Sequence, residues 1–134
     1  PDGWLWECSH LGGHRFAPTA LVLPTGLMVG RANAAGCYGA LDGLVPLNQS
    51  RGFSWLPPKA QVADLAVRHE AGVGLDAIDL GVHAEGSTWI VTDPRGDRWR
   101  VVVDEVSMSP RPAPCGKTAE SAMALIARSV IPAS

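Results

Sequence analysis

The sequence carries little charge and no cluster of one sign. Its 134 residues include 11 Lys and Arg against 13 Asp and Glu, giving a formal net charge of −2, and no basic run stands out. Proteins whose main partner is nucleic acid or an anionic membrane carry a basic patch or stripe, so this composition argues against both partners. No apolar run approaches the roughly 20 residues that a membrane-spanning helix needs. With 46% hydrophobic residues, the chain is expected to bury a globular core as a single or partial domain over residues 1–134.

Cysteine is scarce as well. Cys8, Cys37 and Cys115 are widely separated and odd in number, which does not suit a disulfide framework. We therefore expect a reducing, cytoplasmic location. The sequence opens at Pro1-Asp2 without an initiating Met and leads directly into a strand-like segment, so we expect it to be cut from a longer chain.

Common catalytic and nucleotide-binding patterns are missing too. Gly116-Lys117-Thr118 resembles the end of a phosphate-binding loop, but Arg111 occupies the place where that loop needs a glycine. No Ser-His-Asp arrangement stands out, nor does a carboxylate pair suited to glycoside hydrolysis. A thiol enzyme using Cys8 is a weak alternative, because no Cys-x-x-Cys and no closely flanking cation would activate that thiol.

The most informative stretch spans residues 4–16. It brings the thiol of Cys8 and the imidazoles of His10 and His14 within seven residues of one another. Thiolate and imidazole are donors that transition metals favour. The intervening Gly12-Gly13 disfavours a helix, since each glycine destabilises a helix interior by about 1 kcal/mol relative to alanine. We therefore expect a glycine turn that directs both rings at one place, and a metal site there.

The residues alone leave the kind of metal site open. Cys8-x-His10 resembles half of a Rieske site, but neither Cys37 nor Cys115 begins the second Cys/His pair that such a site requires. A zinc ion on Cys8, His10 and His14 would need a fourth ligand, and ligands separated by one residue crowd a tetrahedral ion. The remaining alternative is that both histidines only form hydrogen bonds within a turn.

Strand-forming runs predict a set of antiparallel hairpins. Residues 19–23 and 27–30 flank Pro24-Thr25-Gly26, and their continuous apolar character predicts a hairpin covered on both faces. Residues 87–92 and 99–106 flank an Asp-Pro-Arg-Gly-Asp turn, which makes this second hairpin the most secure. Shorter strands are expected at residues 4–9 and 77–82.

Three helices are predicted. The first lies within residues 34–47 and is weakened by Gly36, Gly39 and Gly43. The second covers residues 59–70 after Pro57-Pro58, because proline suits a first helical turn. The third is a C-terminal helix that Thr118 would cap and that would end near residue 130.

A family resemblance rests mainly on the same stretch. It is carried by Trp6-Glu7-Cys8-Ser9-His10-Leu11-Gly12-Gly13-His14-Arg15-Phe16-Ala17, followed by Leu21-Val22-Leu23-Pro24-Thr25-Gly26. These residues closely resemble the sucrase/ferredoxin-like family of thioredoxin-like ferredoxins. Segments 51–61 and 114–117 are similar to its bacterial members, so the resemblance extends over most of the chain. It implies an α/β fold, the C-terminal portion of a thioredoxin-like ferredoxin with antiparallel hairpins and a C-terminal helix. Residues 1–50 would be the cluster-binding part and residues 51–134 a C-terminal extension.

The resemblance also implies a cofactor. In that family a 2Fe-2S cluster is held by two cysteines and by the histidines of a His-x-x-x-His motif, which correspond here to His10 and His14. The two cysteines are expected in a segment upstream of Pro1, and the resemblance does not make Cys8 a ligand. It implies an iron–sulfur electron carrier rather than a catalyst. Its partners would be an unidentified redox protein and the N-terminal remainder of the same protein. The alternative is a non-redox metal-binding or interaction module that has lost the cysteine ligands.

Aromatic residues flank the motif. Trp4, Trp6 and Phe16 are expected to form an apolar shell that limits water access to a cluster, or simply to pack in the core. Gly12 and Gly13 would let the backbone approach the cluster closely.

Overall fold

The computed structural model describes residues 6–8, 10–12, 14–42, 44–111 and 120–134. Within them the chain forms two antiparallel sheets and two α-helices, a mixed α/β fold as predicted. None of the helices in these ranges is long and apolar enough to cross a membrane.

The first sheet has three strands in the order β1-β2-β3, which are Thr19–Val22, Leu27–Gly30 and Ser50–Phe53. The predicted hairpin over residues 19–30 is confirmed, with Thr19 opposite Gly30 and Val22 opposite Leu27. Gly26 closes its turn with a φ of +78°, a left-handed conformation that glycine adopts without strain. The predicted burial on both faces fits the central strand β2, in which three of four residues are buried. It fits the edge strand β1 less well, because all of its residues are half-buried.

Two of the predicted helices are confirmed. Helix α1, Ala34–Leu41, is shorter than the predicted range and begins where Asn33 Oδ1 accepts a hydrogen bond of 2.7 Å from the Gly36 amide. Helix α2, Pro58–Ala71, has its proline in the first turn and ends at Gly72, which is left-handed.

The second sheet has four strands in the order β4-β5-β6-β7, which are Gly81–Glu85, Thr88–Thr92, Arg98–Arg111 and Glu120–Ala133. The hairpin predicted around residues 93–97 is confirmed as β5 and β6. In its turn, Asp93 Oδ1 accepts hydrogen bonds from the amides of Arg95 and Asp97 at 2.8 and 3.1 Å. The strand predicted at 77–82 lies later in the chain, as β4.

The predicted C-terminal helix is wrong. Thr118 lies outside the described residues, and residues 120–133 form strand β7, paired with β6 from Arg98 opposite Ala133 onward. The 14-residue strand β6 offers a long unpaired edge, and β-branched Ile126, Val130 and Ile131 suit a pleated sheet. Pairing along this edge overrides the helix propensity of the interspersed Ala, Met and Leu residues.

The strand predicted at residues 4–9 is not found where the structure describes it. Residues 6–8 have no regular secondary structure, and residues 4, 5 and 9 lie outside the described ranges.

Helix α2 contacts strands of both sheets, and two apolar clusters lie against it. One cluster centres on Leu27, Val29 and Phe53 of the first sheet. The other joins Ala63 and Val67 of the helix to Leu80, Val91 and Val101. The helix therefore fixes the first sheet, which carries the candidate site, against the second.

A buried ion pair lies within α2. Arg68 Nε donates to Asp64 Oδ2 at 2.8 Å, and neither side chain is more than 1% exposed. Arg68 Nη1 also donates to the Gly74 carbonyl at 2.6 Å, and its Cζ lies 5.2 Å from the centre of the Phe53 ring. Burial raises the pKa of Asp64 above its usual value, although Arg68 acts in the opposite direction.

Candidate functional site

The His-x-x-x-His motif leads through a bend into a short 3-10 turn. Cys8 and His10 are exposed and lie in irregular backbone. Gly12 follows with a φ of +77°, and His14 begins the 3-10 turn His14–Phe16. The bend at Gly12 agrees with the predicted glycine turn. The convergence of the two imidazoles stays a prediction, because the His14 side chain and Gly13 lie outside the described part.

Metal ligation by the motif stays a prediction. In the ranges that the structure describes, no group of three or more His, Cys, Asp or Glu side chains is placed to hold a metal ion. A zinc site on Cys8, His10 and His14 is not tested, since it requires the His14 side chain. The described side chains therefore do not supply a full ligand set by themselves.

The aromatic residues beside the motif differ in burial. Trp6 is 84% exposed, so the alternative that it packs in the core is wrong, and its place in a shell around a cluster stays a prediction. Phe16 is half-buried at the end of the 3-10 turn, and Trp4 lies outside the described residues.

Backbone hydrogen bonds hold the end of the motif against the first sheet. The Arg31 amide donates to the Phe16 carbonyl at 2.6 Å, and the Ala32 amide donates to the Pro18 carbonyl at 2.8 Å. Both donors come directly after β2. The position of His14, two residues before Phe16, is thus set by the sheet rather than by the loop alone.

A cation–π contact adds to this anchor. The guanidinium carbon of Arg51, in β3, lies 4.0 Å from the centre of the Phe16 ring, and that of Arg15 lies 6.0 Å from it. Gly30 makes the contact possible, because a Cβ there would lie 2.9 Å from Arg51 Cδ and 3.0 Å from Phe16 Cβ.

Sequence reasoning missed a cleft of about 580 Å³ beside the motif. Arg15, Arg31 and Arg51 line it together with residues of α2, β6 and β7. Burial, and then the charge of Arg15, lower the pKa of Arg51 below its usual value. The three arginines lie far apart in the sequence, so no local pattern marks them. Arg31 is unusual only in its backbone, with a φ of +51°.

Among the described residues, His69, His83 and Cys37 belong to no metal-binding group. His69 is exposed on α2, as expected for a solvated residue, and His83 is exposed on β4. Cys37 is a half-buried free thiol in α1, and Cys115 lies outside the described ranges.

Comparison with protein-family models, with curated proteins and with solved structures gives no significant match to this chain. The interpretation of function therefore rests on the motif itself and on the geometry that surrounds it.

Proposed function

We propose that this chain is the C-terminal part of a thioredoxin-like electron carrier of the sucrase/ferredoxin-like type, working in a reducing compartment. His10 and His14 would bind one iron of a 2Fe-2S cluster, and two cysteines upstream of Pro1 would bind the other. The observation that carries the proposal is the anchored turn. An exposed His10 precedes the left-handed Gly12, and His14 begins a turn that is hydrogen-bonded to the end of β2.

The donor chemistry supports this assignment. A bound 2Fe-2S cluster supplies one-electron transfer, and neutral imidazoles in place of two thiolates raise its reduction potential. An exposed imidazole is also able to exchange a proton with solvent, which would couple proton transfer to electron transfer.

Apolar surface on and just after α1 supports an upstream partner segment. Tyr38 and Leu41 lie three residues apart on α1, and they are 70% and 61% exposed. Leu44, just after the helix, is 74% exposed. We propose that the N-terminal remainder of the protein packs on this surface and brings the two cysteines to the histidines.

The thioredoxin-like architecture depends on the same remainder. Every strand pair in the described part is antiparallel. A thioredoxin-like sheet contains a βαβ unit with parallel strands, which requires a crossover connection. Such a unit would therefore have to include chain outside the described residues.

Anaerobic reconstitution with iron and sulfide tests the proposal. It would be carried out on this chain and on a form extended upstream of Pro1, each compared with its His10→Ala/His14→Ala variant. We expect the extended form to show 2Fe-2S absorption and an EPR signal that the double variant loses or changes. A His69→Ala/His83→Ala variant, which removes two exposed histidines elsewhere, is the matched control and should behave as the parent.

Two results would contradict the proposal. One is an extended form that binds no cluster, which would favour a metal-binding or interaction module instead. The other is a cluster signal that survives the His10→Ala/His14→Ala change without alteration.

A further inference from the structure

We propose that the cleft beside the motif binds a small amphiphilic organic anion, with its carboxylate or phosphate head on Arg15, Arg31 and Arg51. The apolar body of the ligand would lie against α2, β6 and β7. The inference does not depend on the chain carrying electrons.

The size of the cleft suits a small ligand. Its volume of about 580 Å³ falls within the range of roughly 300–1,000 Å³ that is common for small-molecule sites. It is bordered by the turn after His14, by β3, by the first two turns of α2 and by the middle of the β6-β7 hairpin. Elements from both sheets therefore contribute to one concave surface.

The described residues that line the cleft carry charge of one sign. Arg15, Arg31 and Arg51 are among them, and no described Asp or Glu is. Within the described part these three side chains form no ion pair. Four other arginines do pair with carboxylates, namely Arg68 with Asp64, Arg95 with Asp93, Arg100 with Glu85 and Arg128 with Asp104. The cleft thus concentrates positive charge that no carboxylate of the described residues neutralises.

Two of the arginines are partly held in place, Arg51 by its side chain and Arg31 by its backbone. Phe16 lies beneath Arg51, and the missing side chain of Gly30 leaves room for the stem of Arg51. The left-handed backbone of Arg31 is held by its amide hydrogen bond to Phe16. Guanidinium groups match carboxylate and phosphate oxygens in a bidentate arrangement, and groups fixed in advance lose less entropy on binding.

Most of the other residues that line the cleft are apolar. Val62 and Leu65 come from α2, Met108 from β6, and Met123 and Leu125 from β7. Methionine side chains adapt to irregular ligands, and Met123, at 51% exposure, is accessible from solvent. A cleft lined by arginines and by apolar side chains fits a ligand that has an anionic head and a hydrocarbon or aromatic body.

Isothermal titration calorimetry on the whole chain tests this site with octanoate, octyl phosphate and uncharged 1-octanol as probes. We expect at least one of the anions to bind with a Kd below 1 mM, and octanol to bind at least tenfold more weakly. A preference for octanoate would identify the head as a carboxylate, and a preference for octyl phosphate would identify it as a phosphate. Acetate and inorganic phosphate, which lack the apolar body, should bind more weakly than their octyl counterparts.

Charge-removing variants locate the site. Arg31→Gln and Arg51→Gln should each weaken anion binding at least tenfold, whereas Arg98→Gln, which removes an exposed positive charge on β6 away from the cleft, should not. Arg31 is exposed, so its variant tests the site even if Arg51→Gln fails to fold. The proposal would be overturned if neither anion bound, or if octanol bound as tightly as the anions. It would also be overturned if Arg98→Gln weakened anion binding as much as Arg31→Gln and Arg51→Gln do.

Discussion

The guanidinium of Arg51 lies over the ring of Phe16, with 4.0 Å between the guanidinium carbon and the ring centre. This contact joins β3 to the turn that follows His14. It forms above Gly30, where a side chain would collide with both partners. The histidine motif and the arginine cleft therefore both depend on the absence of a side chain at Gly30 in β2.

Gly30→Ala tests this dependence. A Cβ at Gly30 would lie at 2.9 and 3.0 Å from the two side chains, so one of them must move. Overpacking of this kind destabilises a protein by about 1–3 kcal/mol. Gly81→Ala is the control, because a Cβ there would meet Thr92 only at ordinary contact distances of 3.5 Å or more. Urea denaturation should show a clear loss for Gly30→Ala only, and equal losses in the two variants would contradict this account.

The buried Asp64–Arg68 pair is expected to show strong coupling. Arg68→Met leaves a carboxylate in the core without its cation, and breaking such a buried pair destabilises proteins by about 3–5 kcal/mol. Asp64→Leu/Arg68→Met replaces both charges with apolar groups and should recover most of that loss. Denaturant unfolding of both single variants and the double variant measures the coupling. A double variant as unstable as the sum of the single ones would show that the two side chains act independently.

The turn at Asp93 predicts a specific response to acid. Desolvation raises the pKa of Asp93, but hydrogen bonds from Arg95, Asp97 and Trp99 outweigh it, so the pKa lies below its usual value. The stabilisation is therefore fully present above the unfolded pKa of about 3.9 and is lost as the pH falls through the lower folded value. Asp93→Asn should be less stable than the parent at pH 7, and this difference should shrink at strongly acidic pH.

Thermal unfolding between pH 7 and pH 2 measures the difference in stability between Asp93→Asn and the parent. Asp97→Asn serves as the control, because the Asp97 side chain is 67% exposed and its nearest ion-pair distance, to Arg95, is 3.8 Å. A stability difference for Asp93→Asn that stays constant over the whole range would rule out the carboxylate as its source.

The pairing of β7 with β6 can be tested against the alternative that residues 120–133 form a helix. Ser107 and Met123 are directly opposite in the β6-β7 ladder, and both are exposed. In a background without the native cysteines, Ser107→Cys/Met123→Cys should oxidise readily to a disulfide. Ser107→Cys/Ala124→Cys should not, because neighbouring residues of a strand point to opposite faces. Equal yields of the two disulfides, measured by mass spectrometry, would contradict the assigned register.

The elements that the sequence predicted correctly are those with local signals. The Asp93 turn, the Pro24-Thr25-Gly26 turn and the prolines before α2 each fix the backbone through their own chemistry. Strand β7 has no such signal, because its residues suit a helix until β6 provides an edge with which to pair. The arginine cleft was missed for the same reason, since its charges converge only when both sheets pack against α2.

In the candidate site, too, the features set by neighbouring residues could be predicted and those set by distant residues could not. The spacing of His10 and His14 and the glycine bend between them follow from neighbouring residues, and Gly12 has the conformation that such a bend requires. The anchoring of Phe16 by Arg31 and Arg51 depends on residues far along the chain, so no motif in the sequence indicated it.

Histidine ligation is the central claim, and pulsed EPR on the reduced, reconstituted protein tests it most directly. The upstream-extended form, labelled with ¹⁵N-histidine, would be compared with an unlabelled sample. We expect strong couplings to two histidine nitrogens, and we expect them to disappear in His10→Ala/His14→Ala but to persist in His69→Ala/His83→Ala. A 2Fe-2S cluster that forms without any strong histidine-nitrogen coupling would contradict the assignment of His10 and His14 as its ligands.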